Sequence, residues 1–122
     1  MPVEYRLLEP DEQPEFFAVT AQALTIESPA SWRDLFTQRI GAENLRAVLT
    51  GGQLAGGLGI YRTGQWFGGR SIPCGGVSIV GIAPEFRGQG LARSALESLL
   101  EELHADGTPL ACLFPSTQRF YR

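Results

Sequence analysis

Arg87-Gly88-Gln89-Gly90 stands between an apolar run, Val77 to Ile82, and a long amphipathic run that begins at Leu91. Two glycines at this spacing let the backbone turn tightly and leave neighbouring N–H groups uncovered by side chains. A helix starting there adds about half a positive charge and a set of unpaired N–H donors. The chemistry such a junction can do is to hold an anion. Charge order points the same way. Arg87 and Arg93 flank the start of the run, while Glu97, Glu101, Glu102 and Asp106 lie toward its end. That is the reverse of what a helix dipole favours, and an anion at the start would compensate. An ordinary glycine-rich turn with surface arginines is the alternative.

Several chemistries are excluded by counting. All ten basic residues are Arg, so neither a P-loop lysine nor a Schiff-base lysine exists in these 122 residues. His104 is the single histidine, which rules out a Ser-His-Asp triad elsewhere and a zinc site with two histidines. It lies among acidic residues late in a helix and is expected to be solvated. Cys74 and Cys112 are too few for a disulfide framework and are expected to be reduced, structural thiols. No metal site is expected. The formal net charge of −3 disfavours a nucleic-acid partner. Hydrophobic residues at 43% and charged residues at 19% fit one globular domain over 1–122. No apolar stretch is long enough to span a bilayer, and the acidic start lacks a signal peptide's pattern. No membrane association and a cytoplasmic location are therefore expected.

A Rossmann fingerprint fails because Arg93 stands where its third small residue belongs. What fits is R-x-x-G-x-A, at Arg87, Gly90 and Ala92, preceded by V-G-I-A-P-E-F from Val80 to Phe86. This resembles the pyrophosphate-binding motif of the GNAT (GCN5-related) N-acetyltransferases, together with that family's central strand. Phe67 to Val77, F-G-G-R-S-I-P-C-G-G-V, is further similar to the N-terminal region of the Eis (enhanced intracellular survival) subfamily. The resemblance covers nearly the whole chain.

The resemblance implies acetyl-CoA as cosubstrate and a primary amine as acceptor, aminoglycoside-like or lysine-like, small molecule or peptide. It implies that backbone groups of Arg87, Gly88, Gln89, Gly90, Leu91, Ala92 and Arg93 hold the pyrophosphate. Backbone groups of Val80, Gly81 and Ile82 would pair with the pantetheine arm, and Ser116 and Thr117 would line the same groove. Tyr121 takes the place of the family's general acid. No base stands out; Glu27 and Glu85 are candidates by type alone.

The chain departs from the family after Tyr121, where two further strands are usual. The expected fold is therefore α/β, a GNAT-like mixed, mainly antiparallel sheet flanked by helices and lacking the last strands, and the chain reads as a partial domain. Leu110 to Phe114 would then present an apolar edge that invites pairing with another copy. The terminal carboxylate would sit beside Tyr121 and raise its pKa. A noncatalytic acyl-CoA-binding or assembly module is the competing expectation.

The elements that must position these residues follow from periodicity. Val3 to Leu8 reads as a strand and Pro10 to Leu24 as a helix entered through Asp11 and Pro14, with Phe16, Phe17, Val19 and Ala23 apolar. Ser31 to Ile40 is a second helix, stopped by Gly41. Leu45–Thr50 and Leu54–Arg62 form a hairpin; Gly56, Gly57 and Gly59 allow close approach or a bulge. Thr63 to Gly76 reads as turns that expose Trp66 and Phe67 or fold them as a lid. Val77 to Ile82 is a buried strand with Val77 and Ile79 on one face, Val80 and Ile82 on the other, and a bulge near Gly81. Leu91 to Leu103 is a helix whose apolar face is Ala92, Leu96, Leu99, Leu100 and Leu103. Leu110 to Phe114 is a buried strand, and a helical turn carries Phe120 and Tyr121.

Overall fold

The computed structural model describes residues 2–115 and 118–121. Five strands form one sheet in the order β1-β2-β3-β4-β5: Val3–Leu7, Leu45–Thr50, Gln53–Phe67, Arg70–Ile82 and Leu110–Cys112. The first three pairings are antiparallel and the β4–β5 pairing is parallel. Four α-helices accompany it: α1 Gln13–Leu24, α2 Ala30–Ile40, α3 Leu91–Ala105 and α4 Gln118–Tyr121. The expected α/β architecture and element order stand.

Both sheet faces are covered by apolar clusters. On one, α1 and α2 bring Phe16, Phe17, Phe36 and Ile40 against Leu45, Ala47 and Leu49. The Phe17 ring of α1 meets Phe36 and Trp32 of α2 edge-on at 6.0 and 6.3 Å, tying the two helices together. Gly57 explains why the glycines of β3 are needed. A Cβ there would come within 2.4 Å of the Phe16 ring. On the other face, Leu91, Ala95, Leu99 and Leu103 of α3 pack on Val48, Leu58 and Ile60. The expected apolar face of α3 was rotated by one residue. Leu99 and Leu103 are buried, but the Ala92-Leu96-Leu100 stripe turns to the side of the helix, and Leu100 is 57% exposed.

The turn-rich reading of 63–76 is corrected. β3 runs on to Phe67, Gly68 and Gly69 turn it with φ of 56° and 79°, and β4 returns from Arg70, paired through Phe67↔Arg70. Glycine and proline lower strand propensity locally, but cross-strand pairing outweighs it. Trp66 and Phe67 sit exposed at this hairpin tip.

The bulge is also displaced. Gly57 pairs with Gly81 and Gly59 with Ser78, so Leu58 faces two residues, Ile79 and Val80. Ile79 takes φ +45°, a left-handed conformation that costs a β-branched residue about 1–2 kcal/mol. The extra residue breaks the alternation expected of β4. Val77, Val80 and Ile82 all pack with the α3 cluster, and Ile79 packs with the α1–α2 cluster. The expected buried strand at 110–114 is shorter and more open: β5 ends at Cys112, and Leu110, Ala111 and Cys112 are exposed.

Candidate functional site

β5 pairs with β4 only from Cys74↔Leu110 to Gly76↔Cys112, whereas β4 continues to Ile82. Beyond Gly76 the two strands part, and one edge of β4 is left open. Which peptide groups face that opening follows from the ladder. The Ala83 N–H donates to the Ala55 carbonyl at 2.8 Å, so Gly57↔Gly81, two residues back, is also a hydrogen-bonded pair. Gly81 therefore directs its N–H and C=O at β3, and those of Val80 and Ile82 face the opening.

A 3-10 turn at Pro84–Phe86 then carries the chain to the glycines. Gly88 and Gly90 have φ of 79° and 75°, and a Cβ at either would meet nothing within 4 Å. Backbone conformation, not crowding, is what calls for glycine here. The Ser94 N–H donates to the Gly90 carbonyl at 3.0 Å, which leaves the amides of Leu91, Ala92 and Arg93 ahead of the helical ladder. No side chain caps this helix start, and no acidic residue lies in its first turn.

These amides and the open β4 edge share a cleft of about 370 Å³. Val80, Gly81, Ile82, Arg87, Gly88, Gly90, Leu91, Ala92 and Arg93 line it, and Tyr121 closes one side. Gln89 belongs to the same loop but is not part of the lining. Ser116 and Thr117 lie outside the described residues. Glu27 and Glu85 are exposed and do not line the cleft; among the described residues no carboxylate does. Sequence reading missed Ala23, Leu24 and Phe86, which complete the wall. Gly81 was the available signal for the first two. A Cβ on it would lie 3.1 Å from Ala23 Cβ and Thr20 Cα, so α1 rests directly on the β4 backbone.

Tyr121 and Arg93 also line a second hollow of about 850 Å³ between α3 and β5, where Leu96, Leu100 and Leu113 supply apolar walls. Tyr121 thus stands where the two cavities meet. Burial pushes its phenol above the usual value, which keeps the proton on. The terminal carboxylate expected to act on it belongs to Arg122, which lies outside the described residues.

The reversed charge order of α3 has structural causes of its own. Arg93 Nε lies 2.9 Å from Glu97, Arg62 reaches Asp106 at 2.8 Å, and Arg46 binds Glu102 from the sheet. The case for an anion therefore rests on the uncovered amides. Among the described residues, no group of three or more His, Cys, Asp or Glu could hold a metal. No helix there is long and apolar enough to cross a membrane.

Residues 4–122 match the family described as Acetyltransferase (GNAT) domain. No curated protein matches. Among solved structures, a GCN5-related N-acetyltransferase from Anabaena variabilis is 32% identical with a TM-score of 0.91 over 99% of this chain and 31% of its own. Eis1 from Mycobacterium abscessus is 23% identical, TM-score 0.84, over 98% of this chain and 30% of its own. Glucosamine-6-phosphate N-acetyltransferase from Arabidopsis thaliana is 19% identical, TM-score 0.76, over 99% of this chain and 88% of its own. The chain thus spans about a third of the length of the first two.

Proposed function

Because the chain belongs to the GNAT acetyltransferase family, we propose that it binds acetyl-CoA in the cleft beside Gly88 and Gly90 and transfers the acetyl group to a primary amine. The observation that carries this reading is the junction itself: uncovered amides at the start of α3 next to an open β4 edge, with Tyr121 at the far side. The amides of 88–93 suit a diphosphate. The outward peptide groups of Val80 and Ile82 suit an extended amide arm, added as though it were another strand. An N–H there can also stabilise the oxyanion formed when an amine attacks the thioester. Tyr121 returns a proton to the departing thiolate. For a thiol at about 8.5 and an unperturbed tyrosine at about 10, that donation is uphill by about 2 kcal/mol, and the burial that raises Tyr121 adds to it.

The acceptor is an amine of aminoglycoside or lysine type, small molecule or peptide. No metal enters this chemistry, the setting is cytoplasmic, and the open edge of β5 offers a place for a second copy. Titrating the 15N-labelled chain with CoA tests binding: the amide signals of Gly88 and Gly90 are expected to shift, and unchanged signals in folded protein overturn the reading. Thiol release from acetyl-CoA with a panel of amines tests transfer. A second reading, an acyl-CoA-binding module without turnover, is favoured by the absence, among the described residues, of a cleft carboxylate to take the amine proton. It predicts saturable CoA binding with no amine-dependent release.

A further inference from the structure

The Arg87 side chain is turned to two carbonyls. Its Nε donates to the Ile82 carbonyl and its Nη2 to the Ala23 carbonyl, each at 3.2 Å. The two acceptors lie on different elements, the exit of β4 and the last turn of α1. We infer that Arg87 is a positioning residue that pins these two walls of the cleft together, not a ligand of the diphosphate. This rests on the acetyl-CoA reading above.

The peptide between Ile82 and Ala83 shows what the pinning does. Its N–H is held by Ala55 of β3 at 2.8 Å and its carbonyl by Arg87. A peptide fixed at both ends sets the torsions of Ile82, and these aim the Ile82 N–H into the opening. The second contact acts on the opposite wall. Ala23 belongs to the last turn of α1, whose carbonyls lack helical partners and carry partial negative charge. The Thr25 and Ile26 amides serve Gln22 and Ala21, and the guanidinium serves Ala23. Arg87 therefore spans the open side of the seam where α1 rests on Gly81.

What the site needs from residue 87 is two N–H donors in a fork, with positive charge secondary. Calorimetric titration of Arg87→Met and Arg87→Gln with CoA and with pantetheine, which lacks the diphosphate, tests this. The Met variant is expected to weaken both ligands by a similar factor, on the order of tenfold. The Gln variant, whose shorter amide can still donate to the Ile82 carbonyl but not also to that of Ala23, is expected to recover part of the loss for both. A phosphate ligand would behave otherwise: both variants would lose CoA affinity and neither would change pantetheine binding. That result, or a Met variant equal to the parent, overturns the inference. Should Met fail to fold by its melting curve, Arg87→Lys decides the matter. It keeps charge but not the fork, so a positioning role weakens both ligands and a phosphate role preserves CoA binding. A parent chain that binds neither ligand overturns the acetyl-CoA reading and the positioning role with it. A parent that binds, with Gln as poor as Met, overturns the positioning role alone.

Discussion

The Tyr5 hydroxyl donates to Glu102 Oε2 at 2.6 Å, joining β1 to α3 across ninety-seven residues of sequence. Arg46 completes the group, its Nε donating to both carboxylate oxygens at 3.0 and 3.2 Å. Burial, and then the bond to and charge of Glu102, push the Tyr5 phenol far above its usual value. Burial would also raise the Glu102 carboxyl. The hydrogen bonds from Arg46 and Tyr5, with the charges of Arg46 and Arg62, outweigh it and hold the carboxyl below its usual range.

A carboxyl depressed in the folded state stabilises above its unfolded pKa, about 4.3 for Glu, and loses that contribution as pH falls through the lower folded value. Glu102→Gln is expected to cost about 2 kcal/mol at pH 7. Its melting temperature should also fall less steeply than the parent's as pH drops below about 4.3. Melting curves from pH 7 to 3 check both; parallel curves would refute the role assigned to Glu102.

Gly90→Ala is expected to lose about 1–2 kcal/mol in urea unfolding, because an alanine at φ 75° is strained even though its Cβ has room. Gly90→Asn should lose less, since asparagine tolerates the left-handed region. Equal losses would point to a steric cause that the open surroundings of Gly90 do not contain.

Tyr121→Phe is expected to lower kcat by about a hundredfold with little change in KM for acetyl-CoA. Because burial raises its pKa, the proposed transfer by the parent chain should show no loss from Tyr121 ionisation below about pH 10. A steady-state pH profile of both proteins checks this; a decline in the parent that starts near pH 8 and is absent from the variant contradicts it.

Cys74 and Cys112 are neighbours with sulfurs 3.6 Å apart, yet they differ in access: Cys74 is buried and Cys112 exposed. Burial first, then the hydrogen bond and charge of Cys112, raise the Cys74 thiol. Iodoacetamide at pH 8 should therefore modify Cys112 first and Cys74 at least ten times more slowly, as peptide mass spectrometry can read. Matching rates would show that the β4–β5 seam opens in solution.

Much of the site is written in local sequence. The strand, the glycine loop and the helix at 77–103 are consecutive, so periodicity and backbone rules place the amides of 88–93 without tertiary information. What was misread depends on partners, some across a hairpin and some far along the chain. Residues 63–76 look like turns until Phe67 pairs with Arg70 and the ladder extends back to Gly56. The acidic end of α3 looks anomalous until Arg46 and Arg62 arrive from the sheet. The wall formed by Ala23 and Leu24, and the grip of Arg87 on Ala23, join residues 64 positions apart. No spacing in the sequence announces them, and Gly81 is the lone hint that α1 lies close.

The surplus residue at Ile79 gives β4 two phases. Before it, odd-numbered side chains such as Val77 look toward α3; after it, even-numbered ones, Val80 and Ile82, take that role. Length changes in the two halves should therefore travel differently. One residue added or removed in the hairpin arm can be absorbed at the Gly68-Gly69 tip. The same change between Gly81 and Arg87 has no slack to take it up, and would swing the outward amides round to the wrong side of the sheet.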